Sequence, residues 1–313
     1  MPETQAIQNV SPNPERSALL REAVEGVRSA FARGDLDGAA EICGMLVHVN
    51  PDEAAFRALQ GQVLRAQGKS SDADAAETRA VAIVAKRLEK QAKRGRVLSL
   101  GERMLAFSDV LFLGGPPATF VALGQMQLLV MLEQGMESHH RVLDVGCGTL
   151  RAGIWLMKVL EKGNYFGIEP HQARLDFGKE HVAGPALMDR KQPRFDGNAA
   201  FDFSVFGERF DFVVARSVWT HTSKLQINAM LDAFAAHSAP GAVLLTSYLP
   251  VSDGRPDYLG EQWVGRSADS PVGGLVAHKT EWVQAACKQR GLRVRALADH
   301  VVNGQIWLRI EQI

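Results

Sequence analysis

Residues Arg141 to Gly153 read RVLDVGCGTLRAG, and Tyr165 to Pro170 read YFGIEP. Val142, Leu143 and Val145 make a short apolar run leading into Gly146 and Gly148, and Leu150, Ile154, Trp155, Val159 and Leu160 then recur at helical spacing. The pattern is strand, glycine turn, helix. Glycine suits such a turn because the chain bends sharply there and a Cβ would hold a ligand away from the backbone N–H groups. A second apolar run ends in Glu169, 25 residues after Asp144, where an acid can accept both hydroxyls of a ribose.

Two ligand classes use this arrangement, and Asp144 separates them. A dinucleotide places a pyrophosphate at the turn, which a carboxylate would repel. S-adenosylmethionine brings an ammonium and a sulfonium, so the same carboxylate attracts it. The third glycine of a GxGxxG fingerprint is also replaced, by Arg151. A nicotinamide-dependent oxidoreductase is therefore the weaker reading.

From about Leu100 to Ile313 the chain resembles the class I S-adenosylmethionine-dependent methyltransferases at these residues. The resemblance implies an α/β fold: a seven-stranded doubly wound sheet of order 3-2-1-4-5-7-6 with the seventh strand antiparallel. Asp144 would hold the ammonium region through the turn, with Gly146, Cys147 and Gly148 giving close backbone approach. Glu169 would take the ribose, and Arg151 would pair with the donor carboxylate or with a nearby acid such as Glu169. The loop after the third strand would offer an acid and an N–H to adenine. Asp196, Asn198 and Asp202 compete for that place, and Asp202 with Phe203 is preferred for its spacing to the fourth strand. Arg216 and Ser217, at the end of the fourth strand, would face the methionine part of the donor. His221 follows within a turn and is the candidate catalytic base.

The strands and helices expected around the motif are specific. Phe120 to Leu132 is a largely buried helix, Pro170 opens a helix to about His181, and a loop follows. Arg194–Phe195 and Phe210–Ala215 are the third and fourth strands, and Leu225–His237 is a helix stopped by Ala239-Pro240-Gly241 before a strand from Ala242 to Ser247. Lys279–Gln289 is the last helix, and Leu292–Leu297 and Gln305–Ile310 pair around Asn303-Gly304. The polar stretch from Tyr248 to His278 is long enough to be an acceptor lid. In it, Tyr258 and Trp263 offer an apolar floor, and Arg255 or Arg266 could grip an acidic acceptor.

Residues 15–100 lack strand signal and repeat: Ala32, Gly34 and Ala39 recur as Ala66, Gly68 and Ala73, 34 residues later. That period resembles tetratricopeptide repeats, with helices expected near 15–33, 36–48, 52–67 and 71–94. The pair reads either as a docking surface for a protein partner or a second copy, or as a stabilising cap. Residues 1–14 read as a frayed tail without signal-peptide character. The basic run Lys86 to Arg96 reads as a solvated linker face rather than an RNA-binding patch.

Thirty-five basic residues balance 35 acidic ones in 313, which argues against nucleic acid or a membrane surface as a partner. Cys43, Cys147 and Cys287 are too scattered for disulfides or zinc, which suits a cytoplasmic setting, and no metal is expected. The reading is methyl transfer to an oxygen or nitrogen of a small-molecule acceptor. A methyltransferase-like binding module without chemistry is the alternative.

Overall fold

The computed structural model describes residues 14–265 and 274–313. The expected tail (1–14, but for Pro14), Arg266 and Gly273 lie outside them. The chain divides into two compact units with the boundary between Val121 and Ala122, and each is described by itself.

The first unit is helical: α1 (Pro14–Ala32), α2 (Leu36–Val49), α3 (Ala54–Ala66), α4 (Ser70–Ala92) and α5 (Leu100–Phe107). Gly34 and Gly68 end their helices with φ of 78° and 75°, the left-handed conformation that glycine adopts without penalty. Asp35 caps α2 by accepting from Gly38 N at 2.9 Å, and Glu53 caps α3 through Ala55 N. Ser99 and Glu102 form a capping box on α5. Val27, Ala39, Cys43 and Phe56 lie in the shared core of α1 to α3. Ala39 and Ala73, one period apart, are both fully buried. α3 and α4 approach closely, since a Cβ on Gly61 would lie 3.2 Å from Ala73 O.

The second unit carries all but the first two residues of α6 (Phe120–Glu133) and a seven-stranded sheet in the order β3-β2-β1-β4-β5-β7-β6. Its strands are β1 (Val142–Val145), β2 (Tyr165–Ile168), β3 (Arg194–Asp196), β4 (Phe210–Ala215), β5 (Ser238–Tyr248), β6 (Leu292–Val302) and β7 (Gln305–Gln312). β1 to β5 are mutually parallel, and β7 runs antiparallel to both neighbours. This is the topology expected from sequence. Every residue of β1 and β2 is buried, as a parallel sheet covered on both faces requires. Asn303 and Gly304, at φ 54° and 73°, form the tight turn between β6 and β7.

The remaining helices are α7 (Gly153–Val159), α8 (Gln172–Phe177), α9 (Pro185–Lys191), α10 (Lys224–His237) and α11 (Thr280–Lys288). Three expectations are corrected. The helix after the glycine turn does not begin at Leu150, whose φ of 59° prolongs the turn, but at Gly153. The expected loop after His181 is largely helix. α8 runs into a π-helical turn over Gly178–Ala183, and Pro185 then starts α9, where its missing N–H is no loss. Pairing of β5 with β4 already begins at Ser238, and Ala239-Pro240-Gly241 lies within an irregular stretch of that strand, with Gly241 at φ 79°. Among the described residues no helix is long and apolar enough to cross a membrane.

Candidate active site

The glycine turn closes over the end of β2. Gly146 N and Cys147 N both donate to Ile168 O, at 2.8 and 3.1 Å. Gly148 N donates to Glu169 Oε2 at 2.9 Å, and His171 N to Oε1 of the same carboxylate at 2.9 Å. Gly146 and Gly148 have φ of 71° and 55°, and a Cβ on Gly146 would press within 2.9 Å of Val218 Cγ2. Small residues here are a steric demand. A Cβ on Gly167 would lie 2.9 Å from Cys147 Sγ, so Cys147 fills the space under the turn. Burial, then Asp144 and Glu169, raise its thiol well above the ordinary value, which leaves it neutral packing.

Asp144 pairs in register with Gly167 of β2 and Val214 of β4 and is almost fully buried. Tyr165, two residues back along β2 on the same face, donates its hydroxyl to Asp144 Oδ2 at 2.8 Å. Burial pushes the Asp144 carboxyl up to about 7, although the Tyr165 hydrogen bond and Arg151 pull it down. Glu169 is likewise raised by burial, against the attraction of Arg174. Burial also lowers the pKa of Arg151, while Asp144 opposes that shift. The two carboxylates and Arg151 thus surround one turn.

In the loop after β3, Asp196 Oδ1 accepts from Asn198 N and Nδ2 at 2.8 and 2.7 Å. Asn198 in turn binds both the Asp202 N–H and carbonyl. Asp202 Oδ1 accepts from the N–H and hydroxyl of Ser204, starting a 3-10 turn over Ser204–Phe206. Its carboxylate is exposed and held below the usual range chiefly by the Ser204 hydroxyl. Phe203 is fully buried in the core shared with Phe210 and Trp219.

At the end of β4, Arg216 Nη1 donates to Ser217 Oγ and Ser247 Oγ at 2.9 and 2.8 Å. Ser217 has φ of 59°, a strained value held by its N–H on Ser247 Oγ and its hydroxyl on Gln305 Oε1, both 2.9 Å. Ser247 Oγ also donates to Gln305 Oε1 at 2.9 Å. Burial, then Arg151, lower Arg216 to about 10. Four strand ends, β4, β5, β7 and the β1 turn, therefore influence one guanidinium.

His221 Nδ1 lies 2.7 Å from the carbonyl of Val264, which can only accept, so Nδ1 carries the proton and Nε2 is the basic nitrogen. Its ring stacks on Trp263 with centroids 5.7 Å apart. Desolvation lowers its pKa below the ordinary value against the pull of that hydrogen bond. The stretch expected to overhang the site is stitched to the segment after β4. Val264 N donates to His221 O at 2.8 Å, Val276 N to Thr220 O at 2.8 Å, and His278 Nε2 meets Thr222 O at 3.1 Å. Tyr258 is tied elsewhere, its hydroxyl donating to Gln262 O, and Arg255 is exposed.

The structure thus brings Asp144, Gly146, Cys147, Gly148, Arg151 and Glu169 together at one turn, with Arg216 and Ser217 at the adjoining strand end. Sequence reasoning missed Tyr165, Arg174, Ser247, Gln305 and Trp307. Period-2 alternation puts Tyr165 on the face of Asp144, and Ser247 and Gln305 are polar residues at the ends of apolar strands; both signals were present. Nothing local marked Arg174, which is buried after β2.

Residues 143–244 match the family model described as a methyltransferase domain. The match covers about a third of the chain. The chain's sheet order and inserted antiparallel β7 match the Rossmann-like methyltransferase fold. Among solved structures, the domain is similar to the magnesium protoporphyrin IX methyltransferase of Synechocystis PCC 6803 with bound S-adenosylhomocysteine. Identity is 16%, TM-score 0.45, with 63% of this chain and 86% of that one covered. It is also similar to the glycopeptide N-methyltransferase MtfA complexed with S-adenosylmethionine, at 14% identity and TM-score 0.47, covering 61% and 94%. No curated protein matches the chain.

Proposed function

We propose that the chain transfers a methyl group from S-adenosylmethionine to an oxygen or nitrogen of an acceptor, and that the acceptor is a small molecule. The observation that carries the donor is the pair of buried carboxylates, Asp144 and Glu169, on the glycine turn. Opposite unit charges about 4 Å apart gain roughly 4 kcal/mol at an effective dielectric near 20, and like charges lose as much. A cationic donor is favoured there and a diphosphate disfavoured. The residues fit the donor: Gly146 and Gly148 open the backbone, and the buried Glu169 carboxylate, which accepts from Gly148 N and His171 N, would take the ribose hydroxyls. When bound, the donor supplies an electrophilic methyl on sulfur.

The protein's own residues then orient and deprotonate. His221, uncharged at neutral pH with its free electron pair on Nε2, is the base that takes a proton from the acceptor, a contribution of about 10²- to 10⁴-fold. Holding the reacting atoms in line contributes more. Asp202 and Phe203 remain our assignment for the adenine end, with Arg151 balancing Asp144. The helices of the first unit are read as two tetratricopeptide-like repeats that serve a partner or a second copy.

Calorimetry with S-adenosylhomocysteine and with NAD tests the donor. We expect binding of the first only, weakened about 10- to 100-fold by Glu169→Ala, which removes charge-assisted hydrogen bonds. Unchanged affinity in both Asp144→Ala and Glu169→Ala would refute the assignment. Labelled methyl donor incubated with cell extract tests the chemistry, and binding without labelled product would favour a non-catalytic module.

A further inference from the structure

Arg216 stands out from the other cations of the site by what it lacks. Among the described residues no carboxylate pairs with it, and the charge that acts on it is another cation, Arg151. Only Nη1 is engaged, by the two serine hydroxyls, and the guanidinium carbon lies 5.4 Å from the centroid of the Trp307 ring. Arg216 is half-buried, and three of its five N–H groups, on Nε and Nη2, have no partner among the described residues and remain open to a ligand. Serine hydroxyls and an indole face hold the group in place without neutralising it. A planar fork fixed along one edge and free on the other is arranged for a planar or tetrahedral anion.

The direction of the side chain says which ligand brings that anion. The turn and Glu169 occupy the β1–β2 side of the sheet. Arg216 is anchored on the opposite side, on Ser247 of β5 and over Trp307 of β7, with Gln305 fixing both serines. Resting on the donor reading above, but departing from the expectation that Arg216 faces the methionine part of the donor, we propose that Arg216 instead receives an anionic group of the methyl acceptor, so that the acceptor is a carboxylate- or phosphate-bearing molecule. Ser247 and Gln305 act as positioning residues, and the hydroxyl of the strained Ser217 completes their network.

The test uses the full chain saturated with S-adenosylhomocysteine, titrated calorimetrically with benzoate, with uncharged benzamide and with inorganic phosphate. The expected result is binding of benzoate or phosphate at least ~10-fold tighter than benzamide. Arg216→Gln should abolish that preference, Arg216→Lys should retain part of it, and affinity for S-adenosylhomocysteine should change by less than about threefold in both. Ser247→Ala should weaken the anion without changing its charge preference. Equal binding of benzoate and benzamide, or no binding of any of the three probes, would overturn the proposal. A ~10-fold loss of S-adenosylhomocysteine affinity in Arg216→Gln would also overturn it by assigning the guanidinium to the donor carboxylate. Failure of the unmodified chain to bind S-adenosylhomocysteine would instead remove the donor reading on which it rests.

Discussion

Burial pushes the Asp144 carboxyl up to about 7 against the hydrogen bond from Tyr165, so its charge is set by pH and by what binds beside it. Its carboxyl moves from 3.8 to about 7 on folding. A raised folded pKa gives stability that is full below about pH 4 and fades as pH rises to about 7. Asp144→Asn keeps an acceptor for the Tyr165 hydroxyl without the charge. We expect the ligand-free variant to melt above the parent at pH 8, by on the order of 5 °C, with the gap closing toward pH 4. Donor affinity should show the reverse dependence in the parent, strengthening as pH rises through about 7, and calorimetry across that range checks it. His221 gives a second pH signature. Its pKa lies below the ordinary 6.5, so single-turnover rates should rise with pH on an acid limb whose midpoint is under 6.5 and then level. His221→Asn should lower the plateau by about 10²- to 10⁴-fold. The sequence showed Asp144 and Glu169 because their place after apolar runs is a local pattern. It did not show that Asp202 would cap Ser204, or that Arg216 would lean on Ser247, because those partners lie in loops and on strands whose registers are set by tertiary packing.

The strands were legible as elements because a sheet buried on both faces leaves uninterrupted apolar runs such as Phe210–Ala215. Helix boundaries near the site were less so. Leu150 continues an apolar periodicity that matches a helix, yet it sits at φ 59° because the turn must extend past Gly148 before α7 can start. The helices around this turn pack through glycines. A Cβ on Gly178, in the π-helical turn after α8, would lie 2.7 Å from the Thr149 carbonyl carbon, and one on Gly124 of α6 would lie 2.3 Å from Arg151 O. Both clashes are with backbone, which cannot rotate away. Gly178→Ala should therefore destabilise by about 1–3 kcal/mol and displace the turn, weakening S-adenosylhomocysteine binding as well. Urea unfolding and calorimetry on the variant measure both effects.

At the scale of the molecule, the balance of 35 basic and 35 acidic residues leaves no global field to hold a polyanion. Between α4 and α5 the run from Ala92 to Val97 is exposed and contains Lys93, Arg94 and Arg96. Limited trypsin digestion should cut there and release a fragment beginning at Arg94, Gly95 or Val97, identified by N-terminal sequencing. β7 follows β6 in the chain but lies between β5 and β6 in the sheet. During vectorial synthesis the flank of β5 therefore lacks its neighbour until β7 (Gln305–Gln312), the last strand, has been made. Gln305 and Trp307 arrive with it. A nascent chain thus completes the glycine turn and its carboxylates first and the surroundings of Arg216 last.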